Sequence, residues 1–129
     1  MPKRKAVRTN RAPGAIGPYS QGIAAGGLLF VSGQIPIEPD SGEIVAGGIA
    51  AQVERVLENL RGILQAGGLG METVARTTVY LVDLAEFASM NEVYARYFPE
   101  NPPARSTVQV SALPRGVRVE IDAIAVRND

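Results

Sequence analysis

Between Ile49 and Leu64 the apolar residues recur at intervals of three and four: Ile49, Val53, Val56, Leu57, Leu60, Ile63 and Leu64. That period places them on one face of an α-helix, with Glu54, Arg55, Glu58 and Arg61 on the other. Gly67-Gly68 ends the helix, because glycine accepts the left-handed backbone that a C-cap needs. A one-sided helix must bury its apolar face against something, and the flanking segments read as strands. Leu28-Leu29-Phe30-Val31-Ser32 is a short apolar run between Gly27 and Gly33. The stretch from Thr73 to Val82 is rich in β-branched residues. Asp83 then opens a second helix, with Glu86 three positions on as in a capping box, and Phe87, Met90, Tyr94, Tyr97 and Phe98 form its apolar face. Pro99, Pro102 and Pro103 stop it. Two further strands are predicted from Ser106 to Val110 and from Val117 to Val126. In the second, Val117, Val119, Ile121 and Ala123 share one face, and Arg118, Glu120, Asp122 and Ile124 the other.

Strands, helix, strand, helix, strands is the order of an α+β two-layer sandwich, with one mixed sheet covered on one face by two helices. The uncovered face of that sheet is partly apolar, which predicts an oligomer. Residues 12–18 and 36–42 read as a loop and a turn, rich in Gly, Pro and Asp. No internal repeat or linker divides the chain, so residues 1–129 read as one domain with a basic N-terminal tail over 1–11.

Composition narrows the chemistry. The chain has no cysteine and no histidine. Ser-His-Asp and Cys-His machinery is therefore excluded, as are metal sites with imidazole or thiolate ligands. A catalytic base must be a carboxylate, a tyrosine, a lysine or a bound water. No metal or cofactor is expected. Formal net charge is zero, which argues against a dedicated nucleic-acid binder. Lys3, Arg4, Lys5, Arg8 and Arg11 nevertheless precede the first acid, leaving the remainder at net −5. A solvated tail is the simple reading of that run, and a phosphate-binding arm the sharper one; no aromatics are interleaved for base stacking. Gly67-Gly68-Leu69-Gly70 lacks the lysine of a phosphate loop. No apolar stretch reaches the ~20 residues that span a bilayer, no secretory signal is recognised, and a cytoplasmic location is expected.

Two residues carry the candidate chemistry. Arg105 follows Pro102-Pro103-Ala104, a rigid lead-in that aims a guanidinium at a carboxylate; on position alone a surface arginine serves as well. Glu120 lies in the hydrophobic run VRVEIDAIAV, where burial by a partner would raise its pKa, although Arg118 and Asp122 beside it fit a solvent-facing glutamate. Asn91 sits at the edge of the second helix's apolar face, Tyr19 at a loop tip behind Gly17-Pro18, and Ser32-Gly33-Gln34 where a strand closes. Each also has a structural reading: a bonded amide, a packing tyrosine, an ordinary turn.

Taken together, Ala15–Gly22, Val31–Pro36, Thr77–Leu84, Asn91–Tyr94, Pro103–Ser106 and Val119–Ala125 resemble the Rid proteins, the YjgF-like enamine/imine deaminases, in family order along nearly the whole chain. The resemblance implies a chorismate-mutase-like fold assembled as a homotrimer, with ligand sites in clefts between subunits. The implied reaction hydrolyses 2-aminoacrylate and related enamines or imines, released by pyridoxal-phosphate enzymes, to 2-oxo acids and ammonia. Carried over by position, Arg105 would clamp the substrate carboxylate and Glu120 would hold and activate water. Tyr19 would pack over the ligand, Ser32 and Asn91 would wall the pocket, and backbone groups near Gly33 and Thr107 would complete it. Thr107 stands where cysteine is common in the family, which excludes thiol chemistry there. Some branches of the family keep the fold without this activity. The alternatives are a non-catalytic carboxylate-binding trimer and, resting on the basic arm, RNA binding or cleavage.

Overall fold

The computed structural model describes residues 3–127. In chain order it contains β1 (Arg4–Val7), β2 (Gly22–Ala25), β3 (Leu28–Gln34), α1 (Ile49–Ala66), β4 (Val74–Leu81), α2 (Phe87–Tyr97), β5 (Ala104–Gln109) and β6 (Val119–Val126). The strands form one six-stranded sheet in the order β1-β2-β3-β6-β4-β5. Every neighbouring pair is antiparallel except β4 and β5, which run parallel and are joined through α2. The sheet is therefore mixed, as predicted.

Both helices lie on one face. Val53, Val56, Leu57, Leu60, Ile63 and Leu64 of α1 are buried with Met90, Val93 and Tyr94 of α2 in a single cluster. The sheet supplies Leu29, Val31, Val79, Leu81, Val119, Ile121, Ala123 and Ala125 to the same cluster. Alternation along β6 is as the sequence predicts: Val119, Ile121, Ala123 and Ala125 are buried, while Glu120, Asp122 and Ile124 turn to the uncovered face and stay partly exposed. On that face Phe30, Val108 and Val126 are exposed large apolar side chains.

Helix α1 ends in a Schellman motif. Gly68 adopts φ +79°, Leu69 N–H donates to the Leu64 carbonyl at 2.8 Å, and Gly68 N–H donates to Gln65 at 3.0 Å.

Three readings are corrected. Residues 4–7, expected in a solvated tail, form the edge strand β1, whose Lys5 and Arg4 point to opposite faces as alternation requires. Strand β2, which follows β1 and has no counterpart among the predicted strands, forms a hairpin with β3 through Gly26-Gly27, both at positive φ. Finally, α2 begins at Phe87 rather than at Asp83. Asp83 caps a short 3₁₀ turn, Leu84–Glu86, by accepting from Ala85 N–H at 2.9 Å. Glu86 does not close a capping box; its carboxylate pairs with Arg118.

Candidate functional site

Arg105 lies within β5, paired in register with Thr77 of β4. Paired residues of neighbouring strands share a face, and Thr77 is buried beneath α2, so Arg105 projects on the helix side of the sheet at its edge. Its Cζ lies 4.8 Å from the centre of the Tyr94 ring and 5.5 Å from that of Phe87. Both rings belong to α2, three and four residues from Asn91, which shares their side of the helix and is half-buried. Tyr94 Oη is 2.6 Å from Thr77 Oγ1. Burial raises the Tyr94 pKa; its bond to Thr77 and the nearby Arg105 charge oppose the shift. Among the described residues the ion pairs are Arg61–Glu58 and Arg118–Glu86, so Arg105 is not neutralised by a carboxylate. Thr107, two residues further along the same face, carries a buried hydroxyl with no hydrogen-bond partner.

Glu120 belongs to the opposite side. It pairs with Tyr80 of β4 on the uncovered face. Between Val31 and Gln34, β3 carries an extra residue against β6, and this bulge brings Gly33 beneath the Glu120 carboxylate. A methyl group on Gly33 would collide with Glu120 Oε2 and force the carboxylate to move, so glycine is what lets the carboxylate sit where it does. Burial raises the Glu120 pKa, and the neighbouring Asp122 charge raises it further. Asp122 is held in place by the Tyr80 hydroxyl, which donates to its Oδ2 at 3.0 Å.

Loop 9–21 borders this second region. Its anchor is Gln21, a buried residue that sequence reasoning did not single out by function. The Gln21 side chain accepts from Thr9 N–H at 2.7 Å and donates to the Pro13 carbonyl at 2.8 Å. Ser32, predicted as a polar wall, donates its hydroxyl to the Ser20 carbonyl and so ties the end of β3 to the loop. Tyr19 is 52% exposed at the loop's tip, with a long 3.4 Å bond from Ile16 N–H to its hydroxyl. Tyr19 and Gly33 together line a cavity of about 350 Å³ with Ile16, Ile35, Pro114 and Arg115. A larger cavity of about 780 Å³ runs along β1 and the loop, and contains neither Arg105 nor Glu120.

The predicted residues thus fall into two groups. Arg105, Asn91 and Thr107 gather at the β5 edge under α2; Glu120, Gly33, Ser32 and Tyr19 gather around the β3 bulge. Within one chain the sheet separates the guanidinium from the carboxylate, and the structure does not bring the two together. The part that sequence reasoning missed is the pair of rings around Arg105. Phe87 and Tyr94 were read only as an apolar helix face, and their helical spacing could not announce a cation. Among the described residues no three acidic side chains converge as metal ligands, and no helix is long and apolar enough to cross a membrane.

Comparison with known proteins agrees with this architecture. Protein DfrA of Myxococcus xanthus is 58% identical over 125 residues, covering 95% of each chain. A human protein named 2-iminobutanoate/2-iminopropanoate deaminase is 45% identical, with 96% of this chain and 90% of that one covered. The crystal structure of E. coli TdcF with bound serine superposes with a TM-score of 0.92 at 47% identity, covering 96% of this chain and 99% of that one. Residues 9–127 match the family described as Endoribonuclease L-PSP, and the chain belongs to that family, the YjgF-like or Rid proteins.

Proposed function

We propose that the chain hydrolyses reactive enamines and imines of 2-amino acids, such as 2-aminoacrylate and 2-iminobutanoate, to 2-oxo acids and ammonia. The observation that carries this reading is the pair of complementary half-sites: a guanidinium without a carboxylate partner, and a half-buried carboxylate of raised proton affinity over a glycine. Because the two lie on opposite faces of the sheet, a complete site requires two copies of the chain, with Arg105 from one and Glu120 from its neighbour. The exposed apolar residues of the uncovered face supply a surface for such an assembly, and a homotrimer closes it. Relatives named 2-iminobutanoate/2-iminopropanoate deaminase at 45–48% identity support the same chemistry.

The steps follow from the groups. Arg105 pairs with the substrate carboxylate and fixes the imine carbon in place. That carbon is already electrophilic, so a positioned water is a sufficient nucleophile. Glu120 accepts a proton from the water as its oxygen bonds to carbon and the C=N π-electrons move to nitrogen. Glu120 returns that proton to the nitrogen, giving the neutral carbinolamine, which then collapses: the hydroxyl proton passes through Glu120 to the nitrogen as C=O forms, the C–N bond breaks, and ammonia leaves. Water is consumed, and no oxidant or reductant is required. Tyr19, on its exposed loop, covers the ligand, while Ser32, Gly33, Asn91 and the Thr107 backbone wall it. The cytoplasm, where pyridoxal-phosphate eliminations release such imines, is the setting this reading assigns.

The test is a coupled assay in which threonine dehydratase generates 2-iminobutanoate in situ and 2-oxobutanoate release is followed. Wild type is expected to accelerate release and Glu120→Ala to leave it at the uncatalysed rate. The serine bound to TdcF favours a second reading, a carboxylate-binding sensor. Ligand binding that depends on Arg105, without acceleration by wild type, selects the sensor and rejects the enzyme.

A further inference from the structure

A clamp for a carboxylate must hold an arginine still without neutralising it. The usual device, a neighbouring aspartate or glutamate, would compete with the ligand for the same donors. Here Arg105 has no such partner among the described residues; aromatic rings from α2 lie against it instead, at 4.8 Å and 5.5 Å from Cζ. Contacts of this length are within the range of a cation–π attraction. They orient the guanidinium and leave its charge available.

One of the rings is itself fixed. Tyr94 is buried, packs against Phe98 at 4.7 Å between ring centres, and shares a 2.6 Å hydrogen bond with the buried Thr77. Thr77 is the residue paired with Arg105 across the β4–β5 ladder. The hydroxyl bond therefore ties α2 to the sheet on the same rung that carries the arginine, and closes a ring of contacts: Arg105 on Tyr94, Tyr94 to Thr77, Thr77 beside Arg105. Phe87, 40% exposed, lines the outer side. An exposed phenylalanine at the start of a helix has little to gain from packing, but it has a role if it shields a functional cation.

We infer that Phe87 and Tyr94 are positioning residues for Arg105, and that their rings set the affinity for the substrate carboxylate rather than the rate of the chemical step. This rests on Arg105 being the carboxylate clamp of the proposed function. An interaction made equally in ground and transition states raises KM when it is lost and leaves kcat nearly unchanged.

The experiment measures binding of 2-oxobutanoate by calorimetry, with KM and kcat from the coupled assay and Tm for each variant. Phe87→Leu is expected to weaken binding and raise KM about threefold to fivefold, and Tyr94→Leu about tenfold, each with kcat little changed. Tyr94→Phe keeps the ring and is expected to stay within about twofold of wild type in affinity, although its Tm falls because the Thr77 hydroxyl loses its partner. Phe87→Glu places a competing carboxylate beside the guanidinium and should weaken binding more than Phe87→Leu does. Since Phe87 is exposed, its variants keep the test valid even if Tyr94→Leu fails to fold. If binding depends on Arg105 yet stays within twofold in Phe87→Leu and Phe87→Glu, the rings are packing residues only and this inference is overturned alone. If wild type binds 2-oxobutanoate no better than Arg105→Ala, the clamp itself is overturned, and this inference with it.

Discussion

The two half-sites hold opposite charges by opposite means. At the β5 edge the cation is placed against aromatic faces and kept from any carboxylate, so its charge is settled and only its geometry needs support. At the β3 bulge the anion sits over a glycine backbone beside a second carboxylate, so its geometry is cramped and its charge is adjusted. Arginine never deprotonates in a protein and can be tuned only in position, whereas a glutamate can be tuned in proton affinity. A clamp and a base thus make different demands, and because the sheet keeps Arg105 and Glu120 on separate faces of one chain, the proposed function needs a second copy to bring them together.

The strongest test of this division uses both groups. Arg105→Ala removes a forked contact whose charge-assisted bonds are each worth roughly 1.5–3 kcal/mol, so a loss of about a hundredfold or more in kcat/KM is expected. Glu120→Ala is expected to be comparably inactive. Refolded together in equal amounts, the two inactive variants should regain activity, since about a quarter of interfaces between randomly mixed copies would pair an intact Arg105 with an intact Glu120. No recovery from mixed assemblies of native size would mean that each site lies within one chain.

Gly33→Ala sharpens the Glu120 side. The added methyl collides with the carboxylate and should displace it, lowering kcat about tenfold or more while 2-oxobutanoate still binds through Arg105. An unchanged kcat would show that the carboxylate works from another position.

The smallest effect belongs to Asp122. As a base Glu120 works ionised, so activity is gained as pH rises through its pKa, which burial and Asp122 both raise above the ordinary carboxylate range. Asp122→Asn removes the lesser of these causes, and the acid limb of the kcat/KM profile should move to lower pH. A limb that stays in place would leave burial as the whole cause of the shift.

Much of this was legible in the residues. The alternation Val119-Glu120-Ile121-Asp122-Ala123 predicts which face carries Glu120, and the structure agrees. The three-and-four spacing of α1 and its Gly67-Gly68 end are also as read. Other parts carried weaker local signals. Strand β2 has only Ile23 and two alanines, yet the Gly26-Gly27 pair after it is a two-residue hairpin signal that could have revealed it. Charge alone makes residues 1–11 read as a solvated tail, yet an edge strand accepts Arg4 and Lys5 because charged side chains there discourage further pairing.

Periodicity, caps and the absence of histidine and cysteine are properties of neighbouring residues or of the whole composition, so the sequence by itself determined the helices, the face of Glu120 and the class of chemistry left open. Strand pairing between distant segments depends on register, and a shift of one residue would exchange the faces of every side chain. Only the tertiary structure therefore decided that Arg105 pairs with Thr77 and Glu120 with Tyr80, which puts them on opposite faces, that the β3 bulge brings Gly33 under Glu120, and that two rings of α2 meet the arginine.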